Sequence, residues 1–210
     1  MNASVTKALV QWQGNELFLD GLEQLNEATA KELATWKVER KYLILNLNGI
    51  SKIDKSTAKA LAEWQGHTLY LNGLKEIDNA TIKELAKWKG KDLYLNGLKQ
   101  IDKKSLKALV QRKGAKLSLR GLEAIDEKAA KILVQWEGQY LYLSGIKGND
   151  ERVVKIVAKW NGKYLELDGL EEMNEKVAKE LAQFIGGWLC LEHLKRLDKE
   201  SMKNLAEYKG

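Results

Sequence analysis

The chain of 210 residues contains no proline and only one cysteine, Cys190. A single cysteine excludes an internal disulfide framework, and its surroundings do not match the ligand spacing of a zinc site. No stretch approaches the roughly 18 consecutive apolar residues that a membrane span needs. The first residues carry neither the basic nor the apolar segment of a signal peptide. If Met1 is the native start we expect a cytoplasmic protein, and otherwise the sequence leaves the location open.

The chain also has little net charge. Its 35 basic and 29 acidic residues give a formal charge of +6, and the two signs are interspersed. Such a mild basic bias argues against nucleic acid or an anionic membrane surface as the main partner.

What the sequence has instead is a repeat of 24 residues. The segment Asp92–Leu98 recurs with small changes at residues 68–74, 116–122, 140–146 and 164–170. A fixed period of this length is typical of a solenoid, in which each unit buries its apolar face only against its neighbours. We therefore predict a single solenoid domain covering residues 1–210.

One repeat reads as a capped helix followed by a short strand. Asp78 is a predicted helix N-cap, and only Asp or Asn occupies its position in the other repeats. Residues 80–88 have the apolar spacing of an amphipathic helix. Gly90 is interpreted as a C′ residue with a left-handed backbone. Residues 93–95 alternate as a strand does.

The repeat predicts nine helices and eight strands. Strands that follow one another in the same direction form a parallel sheet with right-handed crossovers. Strands stack about 4.8 Å apart, whereas helices need about 8–10 Å. The fold class is therefore an α/β solenoid in the form of a horseshoe, with parallel strands on the concave face and short helices on the convex face.

The pattern Leu93-x-Leu95-x-Gly97-Leu98-x-x-Ile101, followed by a short helix, resembles a bacterial variant of the leucine-rich repeat over essentially the whole chain. The sequence departs from the family in two ways. Leu98 stands about where the family has a ladder of asparagines, and the helix carries a tryptophan that the family does not require. The resemblance implies a protein-recognition surface on the concave sheet and implies no particular chemistry.

Two columns of the repeat have a structural and a functional interpretation. A tryptophan column, which includes Trp64 and Trp88, is interpreted as packing between repeats, with an outer aromatic stripe as the alternative. The lysine column is interpreted as a solvated helix face. Its alternative is a ridge that binds an anionic polymer, centred on Lys83, Lys107 and Lys131. The lysine column has no exception: Lys7, Lys31, Lys59, Lys83, Lys107, Lys131, Lys155, Lys179 and Lys203.

The strand residues between the leucines are predicted to face the concave side, and they carry our main hypothesis. This face would bind a protein or peptide through aromatic anchors and would pair an acidic group of the ligand with two cations of the fifth repeat. The anchors are Tyr70, Tyr94, Tyr140, Tyr142 and Tyr164, and the cations are Lys116 and Arg120. Tyrosine also suits a sheet by propensity alone, and a glycan could stack on the same rings.

The sequence contains no phosphate loop, no metal-ligand spacing and no nucleophile motif. Cys190 and His193 form the one tempting pair, but their spacing on a strand and its turn directs them to different sides. We therefore expect a protein without enzyme activity, cofactor, metal or small-molecule substrate.

The alternative hypothesis is structural. The first and last helices keep the apolar pattern of an interior repeat, although solenoids normally end in polar caps. Head-to-tail contacts between copies would then build a filament or a ring. The contacting residues would be Val5, Leu9 and Trp12 at one end and Phe184, Trp188 and Tyr208 at the other. Asn149, which stands where other repeats have an apolar residue, is a predicted hinge.

Overall fold

The computed structural model of the protein describes residues 3–39, 42–147 and 150–210. Within these ranges nine helices alternate with eight strands, as predicted. The predicted hinge at Asn149 and the middle of the longer loop predicted at residues 38–42 lie outside the described residues. The helices are α1 (Ala3–Leu9), α2 (Glu27–Ala34), α3 (Lys55–Ala62), α4 (Asn79–Leu85), α5 (Lys103–Leu109), α6 (Glu127–Leu133), α7 (Glu151–Val157), α8 (Glu175–Leu181) and α9 (Lys199–Leu205). The strands are β1 (Glu16–Phe18), β2 (Ile44–Asn46), β3 (Thr68–Tyr70), β4 (Asp92–Tyr94), β5 (Lys116–Ser118), β6 (Tyr140–Tyr142), β7 (Tyr164–Glu166) and β8 (Trp188–Cys190).

The strands form one parallel sheet in the order β1 to β8. Each strand pairs with the next in the same register, so that Leu45 lies beside Leu69 and Leu69 beside Leu93. These leucines are fully buried against the helices. The predicted horseshoe with a concave sheet and convex helices is therefore confirmed. Every strand presents its first and third residues to the concave face.

The helix caps agree with the sequence, but the helices are shorter than predicted. The Asp78 carboxylate accepts a hydrogen bond of 2.8 Å from the amide of Thr81 and thereby begins α4. The helix ends at Leu85, and the prediction that it reaches Trp88 is wrong. The amide of Trp88 donates to the carbonyl oxygen of Leu85 at 3.0 Å, a tighter last turn that leads the chain out of the helix.

Leaving the helix early lets the tryptophans form a buried stack between repeats. The rings of Trp36 and Trp64 lie 5.8 Å apart and those of Trp64 and Trp88 lie 5.9 Å apart, nearly parallel in both cases. The indole nitrogen of Trp88 also donates to the backbone carbonyl of Trp64 at 2.9 Å. These rings are buried, so the packing interpretation is confirmed for them, whereas Trp12 of the first repeat is 52% exposed.

The expectation of a left-handed backbone at the following glycine is wrong. No described glycine has a positive φ. Gly90 is required for a different reason, because a Cβ at this position would overlap the ring of Trp88. The glycine column therefore exists to let each indole ring lie flat against the backbone two residues later.

The outer faces of the helices are polar. All nine lysines of the lysine column are exposed, as predicted for a solvated face. Among the described residues no helix is long and apolar enough to cross a membrane.

Candidate binding surface

The five predicted tyrosine anchors lie on the concave strands in two groups. The rings of Tyr70 on β3 and Tyr94 on β4 stack with centroids 4.3 Å apart. The ring of Tyr164 on β7 packs against Tyr140 and Tyr142 of β6, at 6.1 and 5.3 Å. All five side chains are half-buried. We call the first two the Tyr94 group and the other three the Tyr142 group.

Strand β5 separates the two groups, and its repeat holds the predicted cations. The Lys116 ammonium lies 5.3 Å from the ring centroid of Tyr140, and the Arg120 guanidinium lies 4.9 Å from that of Tyr142. Both distances are within the range of cation–π contact. Both cations therefore contact rings of the Tyr142 group and cover part of their surface.

Both cations also have acidic partners inside the protein, which the sequence did not reveal. Arg120 donates two hydrogen bonds to Glu166, from Nε at 2.7 Å and from Nη2 at 2.6 Å. Ser144 donates to the same carboxylate. Lys116 lies 3.7 Å from a carboxylate oxygen of Asp92. A signal was present, since Asp92 and Glu166 occupy the same outward-facing columns as the cations and the tyrosines.

The side chains of this network differ in exposure. Glu166 is only 3% exposed, whereas Arg120 is 46% exposed. The hydrogen bonds that Arg120 donates to the Glu166 carboxylate raise the pKa of Arg120 above its ordinary value. Burial raises the pKa of Tyr94 and that of Tyr142. The hydroxyls of Tyr94 and Tyr142 are therefore neutral and the guanidinium of Arg120 is charged at physiological pH, so these two uncharged rings lie on the same surface as a permanent cation.

A ladder of side-chain oxygens runs along the end of the strands, although the sequence places none at the usual position. The Asn48 side chain accepts from the amide of Asn72 at 3.0 Å, and Asn72 accepts from the amide of Asn96 at 3.0 Å. These residues lie two positions before the column of Leu98. The ladder is interrupted where Arg120 and Ser144 replace asparagine, and those two side chains bond to Glu166 instead. Thus the network of Glu166 takes over the link between repeats at this point.

The described residues contain one group that could ligate a metal ion. The thiol of Cys190 and carboxylate oxygens of Asp168 and Glu192 lie within 4.8 Å of one another. The Asp168 carboxylate already accepts a hydrogen bond of 2.9 Å from the backbone amide of Glu192. Burial raises the pKa of the Cys190 thiol, which disfavours the thiolate that binds metals and attacks electrophiles. The hydrogen bond of Asp168 and the raised pKa of Cys190 therefore favour neither metal binding nor nucleophilic catalysis by this group.

The residues of the alternative assembly hypothesis lie in different environments. Trp12 and Trp188 are 52% and 61% exposed, and Leu9 and Tyr208 are partly buried against the core. The side chain of Val5 lies outside the described residues.

Phe184 was assigned wrongly to this end surface. Its ring is 2% exposed because it stacks between Trp160 and Tyr208. The ring of Tyr208, which follows α9, therefore covers Phe184. Of the residues predicted for this end, Trp188 and Tyr208 remain as candidate contacts.

These features define an α/β solenoid with leucine-rich-repeat-like architecture. Comparison with solved structures agrees with this class. The chain is similar to TLR13 in its crystal structure with ssRNA13, with a TM-score of 0.55 and 23% identity over 87% of this chain. It is also similar to the internalin InlF from Listeria monocytogenes, with a TM-score of 0.47 and 17% identity over 99% of this chain and 73% of that one. The chain spans 26% of the length of TLR13, and the first likeness supports the fold alone. No protein-family model and no curated protein matches the chain.

Proposed function

We propose that the protein is a non-enzymatic recognition module whose concave sheet binds an extended peptide segment of a partner protein. The observation that carries this proposal is the pair of tyrosine groups on the concave strands. Each group presents half-buried rings that are fixed by neighbouring rings. Tyrosine is among the residues that dominate the binding energy of protein interfaces.

The tyrosine groups are organised before a ligand arrives. Tyr70 and Tyr94 restrain each other by stacking, and Tyr142 is held by Tyr164 and by the guanidinium of Arg120. A side chain that is already ordered loses little conformational entropy on binding. The rings therefore suit a role as rigid anchors better than they suit a purely structural role, because the core leucines on the opposite face already hold the strands together.

The spacing of the groups limits the ligand. The centre of the Tyr94 group and that of the Tyr142 group are three strand spacings apart, about 14 Å along the sheet. An extended chain covers this distance in about four residues, at roughly 3.3–3.6 Å each. We expect a ligand that crosses the strands with apolar or aromatic side chains at positions i and i+4.

An acidic residue between these two positions would meet Arg120. The Nε and Nη2 atoms of Arg120 are bonded to Glu166. Nη1 makes no hydrogen bond to a described residue, and the Arg120 side chain is 46% exposed. A ligand carboxylate can therefore bond to the free edge of Arg120 without displacing Glu166. Lys116, which is about 3.7 Å from Asp92, would contribute a weaker, shared charge.

The test is a selection of peptides from a displayed random library, followed by binding measurements with substituted protein. Tyr94→Ala/Tyr142→Ala should weaken the selected peptides at least about tenfold, which corresponds to about 1–2 kcal/mol for the better anchor. Phe18→Ala is the matched control, because Phe18 is an exposed ring in the same column on β1. Circular dichroism should be the same for all three proteins. Peptides that bind the double variant as tightly as the original protein would show that the concave site is wrong.

A carbohydrate array separates the peptide from a glycan that stacks on the same rings. One outcome is binding to a glycan that depends on Tyr94 and Tyr142, without enrichment of any peptide. This outcome would show that the ligand is a sugar and that the concave surface is still the binding site.

Head-to-tail assembly is the second candidate, and one observation favours it. The exposed large apolar side chains of the described residues lie in the first two and last two repeats, among them Trp12 and Trp188. Light scattering over a range of protein concentrations tests the idea. Growth that is blocked by Leu9→Glu would support assembly, whereas a monomer at high concentration would exclude it.

A further inference from the structure

The positive charge of the chain is concentrated in one segment. Twelve of the 35 basic residues but only three of the 29 acidic ones lie between Lys83 and Arg120. This segment therefore has nine positive charges in excess, more than the +6 of the whole chain, and the rest of the chain is slightly acidic. The modest net charge hides a strongly basic region in the fourth and fifth repeats.

Six lysines of this segment are exposed and form no ion pair with another described residue. They lie on α4, on α5 and in the loops that lead from these helices to β4 and β5. We call them the basic patch: Lys83, Lys89, Lys91, Lys104, Lys107 and Lys113. Other cations of the segment are neutralised locally, as Lys87 is by Glu84, Lys99 by Glu123 and Lys103 by Asp126.

The basic patch offers charge without apolar anchors. The described large hydrophobic residues that are exposed fall between Trp12 and Tyr42 or between Ile185 and Met202. None of them falls in the segment of the basic patch. A folded protein partner normally needs a desolvated apolar or aromatic centre, and single exposed ion pairs contribute at most about 1 kcal/mol. A polyphosphate chain needs neither, because the release of its condensed counterions drives binding to lysines alone.

The shape of the basic patch favours a flexible polyanionic chain over a flat anionic surface as its ligand. Lys83, Lys104 and Lys107 lie on the helices of the convex face. Lys89, Lys91 and Lys113 lie in the loops at the edge of the solenoid, between the convex and the concave face. A lipid bilayer is locally flat and meets one of these two surfaces at a time. A flexible phosphodiester strand can follow the helices and continue around the edge.

We propose that the basic patch binds the phosphate backbone of a single nucleic-acid strand without reading its bases. This site is separate from the concave tyrosine surface and does not depend on the function proposed for that surface. Lysine binds phosphate as a point charge, and the basic patch has no aromatic side chain on which a base could stack. Affinity should therefore be independent of sequence and should fall steeply with salt.

Fluorescence anisotropy with a labelled oligo(dT) of about 20 nucleotides tests the proposal against two charge-matched variants. The patch variant is Lys83→Glu/Lys107→Glu/Lys113→Glu. The control variant is Lys59→Glu/Lys131→Glu/Lys179→Glu. Its three lysines are exposed and belong to the lysine column of the helices, as Lys83 and Lys107 do. Each triple change takes the formal charge from +6 to zero.

The patch variant should lose at least about tenfold in affinity at 100 mM salt, while the control variant keeps most of it. The slope of log K against log salt should become shallower by about 2 in the patch variant, since each phosphate contact on a single strand contributes about 0.7. Equal losses in the two variants, or no binding by the original protein, would overturn the proposal.

Two further probes identify a different anionic partner. Vesicles of phosphatidylcholine and phosphatidylserine that sediment with the original protein, when oligo(dT) does not bind, would assign the basic patch to a membrane surface. Binding of poly-glutamate as tight as that of oligo(dT) would assign it to acidic protein segments. Either result would overturn the assignment to nucleic acid. Thermal melting of both variants should match that of the original protein, because the six changed side chains are exposed.

Discussion

Arg120 on the fifth repeat and Glu166 on the seventh are joined across the sixth by two hydrogen bonds, of 2.7 and 2.6 Å. The guanidinium passes over the ring of Tyr142 on the way, at 4.9 Å from its centroid. One ion pair thus connects three consecutive strands of the concave face. It lies where the asparagine ladder is interrupted, so it replaces the local link between repeats and also fixes the orientation of Tyr142.

Loss of Arg120 should destabilise the protein more than neutralisation of Glu166. Arg120→Ala leaves a carboxylate that is 3% exposed without its cation. We expect a loss of about 1–3 kcal/mol, below the 3–5 of a fully buried pair because Arg120 is half-exposed. Glu166→Gln should cause a smaller loss, because the amide still accepts from Ser144 and the freed guanidinium can turn to water. Urea denaturation measures both, and equal losses would contradict this account.

Arg112→Trp should stabilise the protein. Arg112 takes the place of a tryptophan in the buried stack, 5.5 Å from the ring of Trp88. Burial lowers the pKa of its guanidinium to about 10, its Nε has no partner, and neither has the indole nitrogen of Trp136. Gly114 leaves the space that each indole ring needs. Replacement of a buried charge by a well-packed apolar group often gains about 1–4 kcal/mol, and we expect about 1–3 here.

The control for this prediction is Arg112→Ala, which removes the charge without filling the volume. It should not stabilise, because it leaves a cavity beside Trp88 and removes the hydrogen bond of 2.8 Å to the carbonyl of Gly90. The midpoint of urea denaturation compares the two variants. A gain for Arg112→Ala equal to that for Arg112→Trp would show that relief of charge alone is responsible.

The fold could be predicted from the sequence because its determinants are local and repeated nine times. The Asp78 cap, the spacing of buried leucines such as Leu93, and the period of 24 together define one unit and its neighbours. The helix end at Leu85 could not be predicted, because the apolar pattern continues to Trp88 and the final turn depends on where the next indole stacks. The reason for glycine at residue 90 could not be predicted either, because it is the position of the Trp88 ring and not the backbone dihedral angle of Gly90.

The candidate site could be predicted only in part. The five tyrosines were found because strand alternation assigns them to the concave face. The partners of Arg120 and Lys116 were missed because they come from other repeats, and contacts over 46 residues, such as that between Arg120 and Glu166, have no signature in a repeat that is aligned column by column. The predicted lysine ridge already contained Lys83 and Lys107, but the fourth and fifth repeats were not singled out because the lysine column is uniform. Additional lysines outside this column and the small number of acids distinguish these two repeats.

Acid should destabilise the solenoid through its helix caps. Hydrogen bonds from first-turn amides lower the pKa of Asp54, Asp78 and Asp198 below their ordinary values. A carboxyl with a lowered pKa in the folded state stabilises the protein above its unfolded pKa, near 3.9, and this contribution is lost as the pH falls through the folded value. The triple variant Asp54→Asn/Asp78→Asn/Asp198→Asn should lose less stability between about pH 5 and pH 2.

Asparagine is a suitable replacement because Asn26 and Asn174 already cap α2 and α8 in this protein. Thermal melts at a series of pH values give the comparison. A triple variant whose stability falls as steeply as that of the original protein would show that the caps do not account for acid sensitivity and that the exposed ion pairs of the glutamates do.

Gly90→Ala should disturb the stack of tryptophans, and Gly187→Ala should not. A methyl group at residue 90 would overlap the ring of Trp88, whereas one at residue 187 meets nothing within 4 Å. Both residues have ordinary negative or extended backbone angles, so the backbone accepts alanine at either position and the difference isolates the effect of the ring. We expect a loss of about 1–3 kcal/mol for Gly90→Ala from overpacking. Gly187→Ala should be neutral or gain up to about 1 kcal/mol through the lower entropy of the unfolded chain. Tryptophan fluorescence should shift in the first variant only, and equal stability of the two would show that the indole rings do not select glycine in this column.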